Sequence, residues 1–390
     1  MQSNDIKKVA IFCDFFSSLG GTEYYNYMLA KSLIKRGIEV KIFIGEKPKL
    51  TYWLELFDQE NISYYFPNEF HTDLTQRKIE NKFIKNIKDD ITKWNPDIIH
   101  SHPAGKLLIS WIENDSSQLI PLVATEWTTP SKNTAHWYQS DLSKFVNRID
   151  AFIATCKKSK IGIKEFHGYN GEIFVVPHLL QFPSHIPKIK SEDLYSVGCV
   201  SRLSAEKGLV FLIGAFKKIN SEFPNATLHI YGHGKDEECL KDLIDALGLK
   251  DCVFLEGVFK PIDGINEIAE KHTIFVQPSL FESIPTSIIE LMGRKRVIVA
   301  TDVGGISEII NKKMQSGLLI QPASTESIYK ALKNLFQSKE KVQLYSDNAL
   351  HIFSEKYTLE NNINKLLEIY SKLKIKNNLI SSKKDIRKGN

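Results

Sequence analysis

Cysteine is scarce and never grouped. Cys13, Cys156, Cys199, Cys239 and Cys252 are the five in 390 residues, widely spaced and without a CxxC pair, which argues against a zinc or dithiol centre and against a disulfide scaffold. They read as reduced thiols of a cytoplasmic protein. Long apolar runs are absent as well: no stretch reaches the roughly 18 residues of a membrane span. The opening MQSNDIKKVAIFCDFF has too short an apolar stretch for a signal peptide. The expectation is a cytoplasmic chain whose only possible membrane contact is peripheral, at the inner face. No repeat of fixed period appears. Neither the G-x-G-x-x-G dinucleotide fingerprint nor a Walker loop is present. The charge excess is small, +5 at neutral pH. It requires neither an anionic lipid nor a phosphorylated partner, and no nucleic-acid partner is expected.

What is there is an ordinary globular composition, 42% hydrophobic and 25% charged, in a chain longer than one core usually serves. Short apolar runs rich in Val, Ile and Phe recur, each followed by a loop and an amphipathic segment, the pattern of a parallel sheet covered by helices. Strands are expected at Val9 to Cys13, Val40 to Ile44, Ile62 to Phe66, Asp97 to Ser101, Leu122 to Thr125, Ala151 to Thr155 and Ile173 to Val176. A second series follows at Val197 to Val200, Ala226 to Tyr231, Val253 to Leu255, Ile274 to Gln277, Val297 to Ala300 and Leu318 to Ile320. Between the series, Phe182 to Asp193, with Pro183 and Pro187, breaks both periodicities and reads as a linker. The expected architecture is α/β, with two Rossmann-like doubly wound domains over 1–182 and 194–354. In such sheets ligands collect at the carboxyl ends of the strands, so two facing domains would make a cleft lined by those loops. From 376 to 390 the chain is polar, basic and aperiodic, and disorder is expected.

One constellation carries chemistry. In PSLFESIPTSIIELMGRKRVIVATDVGG, Glu282 and Glu290 are separated by seven residues, and Pro285 sits where a helix can begin. The first helical N–H groups, around Pro285 to Ser287, form a positive end that favours a phosphate. A carboxylate accepts two hydroxyl hydrogen bonds side by side, so paired glutamates suit the diols of a sugar and a ribose flanking a diphosphate. Read in isolation, Glu282 as a helix cap and Glu290 on a solvated face is the plain alternative. Arg202 and Lys207 lie in the loop after a buried strand, placed to stabilise charge on a departing diphosphate. Near the start, Gly20 and Gly21 follow the first strand and open a helix running to about Arg36, where backbone amides can approach a ligand closely.

Together these segments resemble glycosyltransferase family 4, retaining transferases of the GT-B fold, over most of the chain to about Leu373. The resemblance implies two Rossmann-like domains facing across a cleft, and a helix at 355–375 crossing back to the N-terminal domain. It implies that Glu290 binds the nucleotide ribose, that Glu282 contacts donor-sugar hydroxyls, and that Arg202 and Lys207 hold the diphosphate. Gly20 and Gly21 would cover the donor from the N-terminal side. Gly232 and His233 resemble the glycine-containing turn at the nucleotide pocket, and Val258 would lie beside the base. The run Ser283, Ile284, Pro285, Thr286 and Ser287 would complete the donor site. The implied activity is retaining, hexosyl-type transfer from a nucleotide-diphosphate sugar, UDP-sugar favoured, to an unidentified acceptor hydroxyl, with no cofactor and no metal. The product would be a glycan, glycolipid, cell-surface polysaccharide or glycosylated metabolite.

The departures are specific. PLVATEW carries Glu126 and Trp127 where family members commonly have a histidine, so Glu126 is a candidate for a contact near the reacting carbon. Ser283 stands for a usual glycine, and His178 for a common asparagine. His100 and His102 end a strand of the acceptor-side domain, and His102, beside Pro103, is the better candidate for touching substrate. Trp127 and Trp137 are suggestive of an acceptor region only. Ile79, Phe83, Ile87, Ile91 and Trp94 form a helical stripe that either packs on the sheet or lies at a membrane. Two competing functions remain: a sugar-nucleotide epimerase or hydrolase of the same shape, and a non-enzymatic sugar-binding protein.

Overall fold

The computed structural model describes residues 6–67, 81–114, 119–132, 142–189, 194–311 and 313–388; Ile79 and Trp137 lie outside them. The chain divides into two compact units, Met1–Leu179 with Leu359–Asn390, and Leu180–Thr358. Both are the doubly wound α/β units expected.

In the first unit the elements run β1 (Lys8–Cys13), α1 (Gly21–Ile34), β2 (Glu39–Ile44), α2 (Tyr52–Gln59), β3 (Ser63–Tyr65), α3 (Asn81–Trp94), β4 (Ile98–His102), α4 (Lys106–Asn114), β5 (Leu122–Glu126), α5 (Leu142–Phe145), β6 (Ala151–Ala154), α6 (Lys157–Phe166) and β7 (Glu172–Val175). The sheet is parallel with strand order β3-β2-β1-β4-β5-β6-β7, and Val9 pairs with Val40 on one side and Ile98 on the other. Central strands are buried on both faces, which is why they read as continuous apolar runs. The order reverses between β1 and β4, so the loops leaving them diverge and expose the space where such sheets take ligands. On α3, Phe83, Ile84, Ile87 and Ile91 join the core, so the described part of that stripe packs on the sheet.

The second unit follows with β8 (Ser196–Val200), α7 (Leu209–Glu222), β9 (Thr227–Tyr231), α8 (Glu237–Ala246), β10 (Val253–Gly257), α9 (Gly264–Lys271), β11 (Ile274–Gln277), α10 (Thr286–Gly293), β12 (Val297–Thr301), α11 (Ile306–Ile309), β13 (Leu318–Ile320), α12 (Thr325–Phe336) and α13 (Lys339–Lys356). Its order is β10-β9-β8-β11-β12-β13. Here the reversal lies between β8 and β11. The chain then returns to the first unit as α14 (Leu359–Lys388).

Two expectations are corrected. The segment from Phe182 is docked on the second unit: Phe182 meets Phe353 edge-on at 5.6 Å, Arg296 donates to the Pro187 carbonyl, and Ile189 packs on the core. Its prolines exclude helix and strand, but not burial. The tail from 376, expected to be disordered, continues α14 to Lys388. Residues 359–388 contain neither glycine nor proline, so nothing in them stops a helix already started. Its buried face includes Ile363, Leu366, Tyr370 and Leu373, with ion pairs Arg36–Glu360 at 2.6 Å and Lys374–Asp97 at 2.8 Å. Among the described residues no helix is long and apolar enough to cross a membrane, and no disulfide joins any of the five cysteines.

Candidate functional site

In the second unit, the loops after β8, β9, β11 and β12 are stitched together by backbone contacts that only glycine permits. After β8 a single 3₁₀ turn, Ala205–Lys207, ends at Gly208 with φ +64, where a Cβ would fall 2.3 Å from the Pro278 carbonyl oxygen. Leu280 N–H donates to the Glu206 carbonyl at 2.8 Å. Gly232 has φ +142, and a Cβ there would sit 1.9 Å from Ser201 O. Gly304, with φ +54, lies equally tight against Glu282 O, and Gly305 N–H donates to Ser283 O at 2.7 Å. Such close approaches fix where the loop side chains start.

Lys207 and Glu282 are thereby brought into contact. Lys207 Nζ lies 2.5 Å from Glu282 Oε1, and their side chains are only 13% and 10% exposed. The same oxygen accepts from Ser279 Oγ at 2.8 Å and lies 3.5 Å from Gln277 Nε2. Burying two charges is unfavourable unless they are paired and hydrogen-bonded; here they are. Arg202 differs. Its side chain is 70% exposed and bonds Glu206 Oε1 at 3.0 Å, so it is a solvent-facing cation at the loop after β8.

Pro285 caps α10 instead of opening it: its backbone is extended, φ −65 and ψ 124, and the helix begins at Thr286. Ile284 and Ser283 are buried, and Ser287 Oγ donates to Val200 O at 3.3 Å, tying α10 to β8. Glu290 is the fifth residue of the helix and partly buried. Burial pushes its carboxyl up to about 7, with Arg294 opposing. The Arg294 guanidinium is committed elsewhere, to the Glu290 carbonyl at 2.8 Å and to Asn266 Oδ1 at 2.7 Å. His233 is exposed and bonds Glu237 at 2.9 Å, while Val258, just past β10, is 68% exposed.

In the first unit, Gly20 caps α1 and Gly21 is its first residue. Glu23 folds back to accept from Ser18 N–H at 3.1 Å and Ser18 Oγ at 2.6 Å, holding the loop against the helix start. Sequence reasoning missed Asp14, which closes β1. Its carboxylate accepts from Lys106 and Leu107 N–H, both at 2.9 Å, capping α4, and a Cβ on Gly105 would lie 2.0 Å from it. An acidic residue directly after an apolar strand was the available signal.

His102, expected beyond the buried run, is the last residue of β4 and is buried. Its ring lies 3.9 Å from that of His100, centroid to centroid. His100 Nδ1 meets Tyr370 Oη at 2.5 Å and Nε2 meets Thr125 Oγ1 at 2.8 Å. Burial lowers the His100 imidazole to about 3, and burial together with His100 holds His102 well below the ordinary histidine range. Glu126 is also buried. Its Oε1 accepts from Thr128 N–H at 2.9 Å and Thr128 Oγ1 at 2.8 Å, and its Oε2 lies 3.4 Å from His167 Nε2.

A model for glycosyl transferases group 1 matches residues 182–352, and one for glycosyltransferase family 4 matches residues 19–179. An uncharacterised glycosyltransferase of Haemophilus influenzae is 25% identical over 91% of this chain and 97% of its own length. A poly(glycerol-phosphate) alpha-glucosyltransferase of Bacillus subtilis is also 25% identical, over 85% of this chain but 44% of that longer protein. The crystal structure of Anabaena HepE in complex with UDP superposes with a TM-score of 0.78 at 19% identity, covering 94% of this chain and all of that one. The fold shared with it is GT-B.

Proposed function

The chain is a member of glycosyltransferase family 4, and on that premise we propose that it transfers a hexose from a UDP-sugar to an acceptor hydroxyl with retention of configuration. The observation that carries this reading is the largely buried Lys207–Glu282 contact just ahead of α10, whose fifth residue is Glu290. It sets a cation, a helix N-terminus and two carboxylates within one set of interlocked loops. Diphosphate is the ligand that needs the first two, and flanking diols are what the carboxylates accept.

In this reading the α10 N-terminus, Lys207 and Arg202 take up the negative charge that builds on the leaving diphosphate. Glu282, oriented by Lys207 and Ser279, accepts from hydroxyls of the transferred sugar, and Glu290 accepts from the ribose. The acceptor hydroxyl attacks on the side the diphosphate leaves, and the departing phosphate oxygen takes its proton. No protein nucleophile is called for, so the paired carboxylates of a glycosidase are not the analogy. The fixed positive charge does the work a divalent ion would otherwise do, and activity is expected to survive EDTA. UDP is the nucleotide bound in HepE, and UDP-sugars are the donors to test first.

The test is donor hydrolysis without acceptor across UDP-, GDP- and ADP-sugars, with Glu290→Ala and Arg202→Ala alongside. Release of nucleoside diphosphate from one donor, lost in Glu290→Ala and reduced in Arg202→Ala, supports the reading. Appearance of an epimerised nucleotide sugar, or binding of free sugar with no turnover of any donor, overturns it.

A further inference from the structure

A second set of polar groups, in the first unit, is buried without partners. Tyr25 on α1, His102 at the end of β4 and Trp127 just after β5 form one ring cluster: centroids lie 5.3 Å apart for Tyr25–His102, 4.6 Å for Tyr25–Trp127 and 5.8 Å for His102–Trp127. Tyr25 Oη, both His102 ring nitrogens and Trp127 Nε1 are all buried, and none has a hydrogen-bond partner among the described residues. Buried polar atoms are almost always satisfied. Four orphaned in one cluster are not accounted for by packing.

Neighbouring residues hold the cluster in place. Glu126 spends its Oε1 on Thr128 and faces His167 with its Oε2, which sets the turn that carries Trp127. Ser159 Oγ donates to Thr128 O at 2.7 Å. A Cβ on Gly162 would lie 2.5 Å from Pro130 O, so the segment after the tryptophan is also clamped. His178 stacks on Trp127, ring planes 24° apart, and meets Tyr25 edge-on at 6.5 Å. Glu126 therefore has the place of a positioning residue for Trp127.

We propose that Tyr25, His102 and Trp127 form a binding site for a neutral sugar ring, the saccharide part of the acceptor. The chemistry selects that ligand class. Tyr25 and Trp127 carry no charge, and burial together with His100 keeps His102 neutral, so the cluster itself holds nothing that balances a phosphate or carboxylate. The orphans comprise an indole donor, a phenol and an imidazole that both donate and accept, the complement of a sugar's hydroxyls. The aromatic faces suit the apolar face of a pyranose. This deepens the transferase reading and rests on it.

The test uses the full chain and saturation-transfer NMR with UDP and with a panel of methyl α-hexosides as probes, comparing the wild type with Tyr25→Phe and Trp127→Phe. Both substitutions keep a ring and remove only the orphaned polar atom or shrink the indole. We expect hexoside signals in the wild type that fall several-fold in each variant, UDP signals unchanged, and a higher Tm for sugar-free Tyr25→Phe because an unsatisfied hydroxyl is gone. Hexoside signals equal in all three proteins, or none in the wild type while UDP binds, overturn this site and leave the donor reading standing. Absence of UDP signals in the wild type overturns the donor reading itself.

Discussion

Lys207 Nζ and Glu282 Oε1 are 2.5 Å apart in a largely buried place. Taking one member from a largely buried ion pair is unfavourable, so Lys207→Met is expected to lower stability by about 3 kcal/mol and donor turnover by at least ~100-fold. In Lys207→Met/Glu282→Gln most of the stability returns and the turnover does not. Urea midpoints and donor hydrolysis on the three proteins separate the two roles.

Glu290 gives a pH signature. Its carboxyl is pushed up to about 7 by burial, whereas in the unfolded chain it ionises in the ordinary range. Between those values the folded state holds the extra proton, so stability is fully present at low pH and is lost as pH rises through 7. Glu290→Gln removes that loss: its Tm should exceed the wild type's at pH 8 and match it at pH 5. In the proposed donor site the ribose is held by the ionised Glu290, so nucleotide affinity of the wild type is expected to rise from pH 6 to pH 8, and the variant to show neither the rise nor the affinity.

Gly304 holds the Glu282 carbonyl at a distance no side chain allows. Gly304→Ala is expected to destabilise by about 2 to 3 kcal/mol and to weaken UDP binding by displacing the Glu282 turn. A calorimetric titration with UDP at a temperature well below the variant's Tm tests the second effect apart from the first. Gly37, at φ +76 with nothing near its missing Cβ, is the control: alanine there strains the backbone but leaves UDP affinity intact.

Acid sensitivity follows from the buried imidazoles. His100 and His272 are lowered by burial to about 3, and His102 well below its usual range. Unfolded, each takes a proton near the ordinary histidine pKa of about 6.5, so below that pH the unfolded state binds more protons and stability falls. The slope approaches about 1.4 kcal/mol per pH unit for each such histidine. Tyr370→Phe adds a pH-independent loss of about 1 to 3 kcal/mol by orphaning His100 Nδ1. Urea midpoints measured from pH 7.5 to pH 5 distinguish the sloping term from the constant one.

The strands were legible because a buried parallel strand leaves an uninterrupted apolar run, and every expected strand is present to within two residues. The helix start at Pro285 was off by one because proline suits both the cap and the first turn. Residues 376–388 looked shapeless because their sequence is polar, basic and aperiodic, while the absence of helix breakers was the better signal. At the site, Glu282 and Lys207 are 75 positions apart, and only the strand order brings β8 beside β11. The Asp14 cap on α4, the Tyr370 bond to His100 and the Tyr25–Trp127 contact are likewise products of topology, invisible to any window along the chain.

Because α14 supplies Tyr370 to His100 across 270 positions, the first unit to be started is the last to be finished. The second unit is continuous, Leu180–Thr358, and all of it leaves the ribosome before Tyr370 does. During synthesis, then, the amino-terminal sheet must wait with the His100 side of β4 uncovered while its successor already has every strand it needs. A chain truncated after residue 358 and released should accordingly resist protease over the second unit and yield over the first.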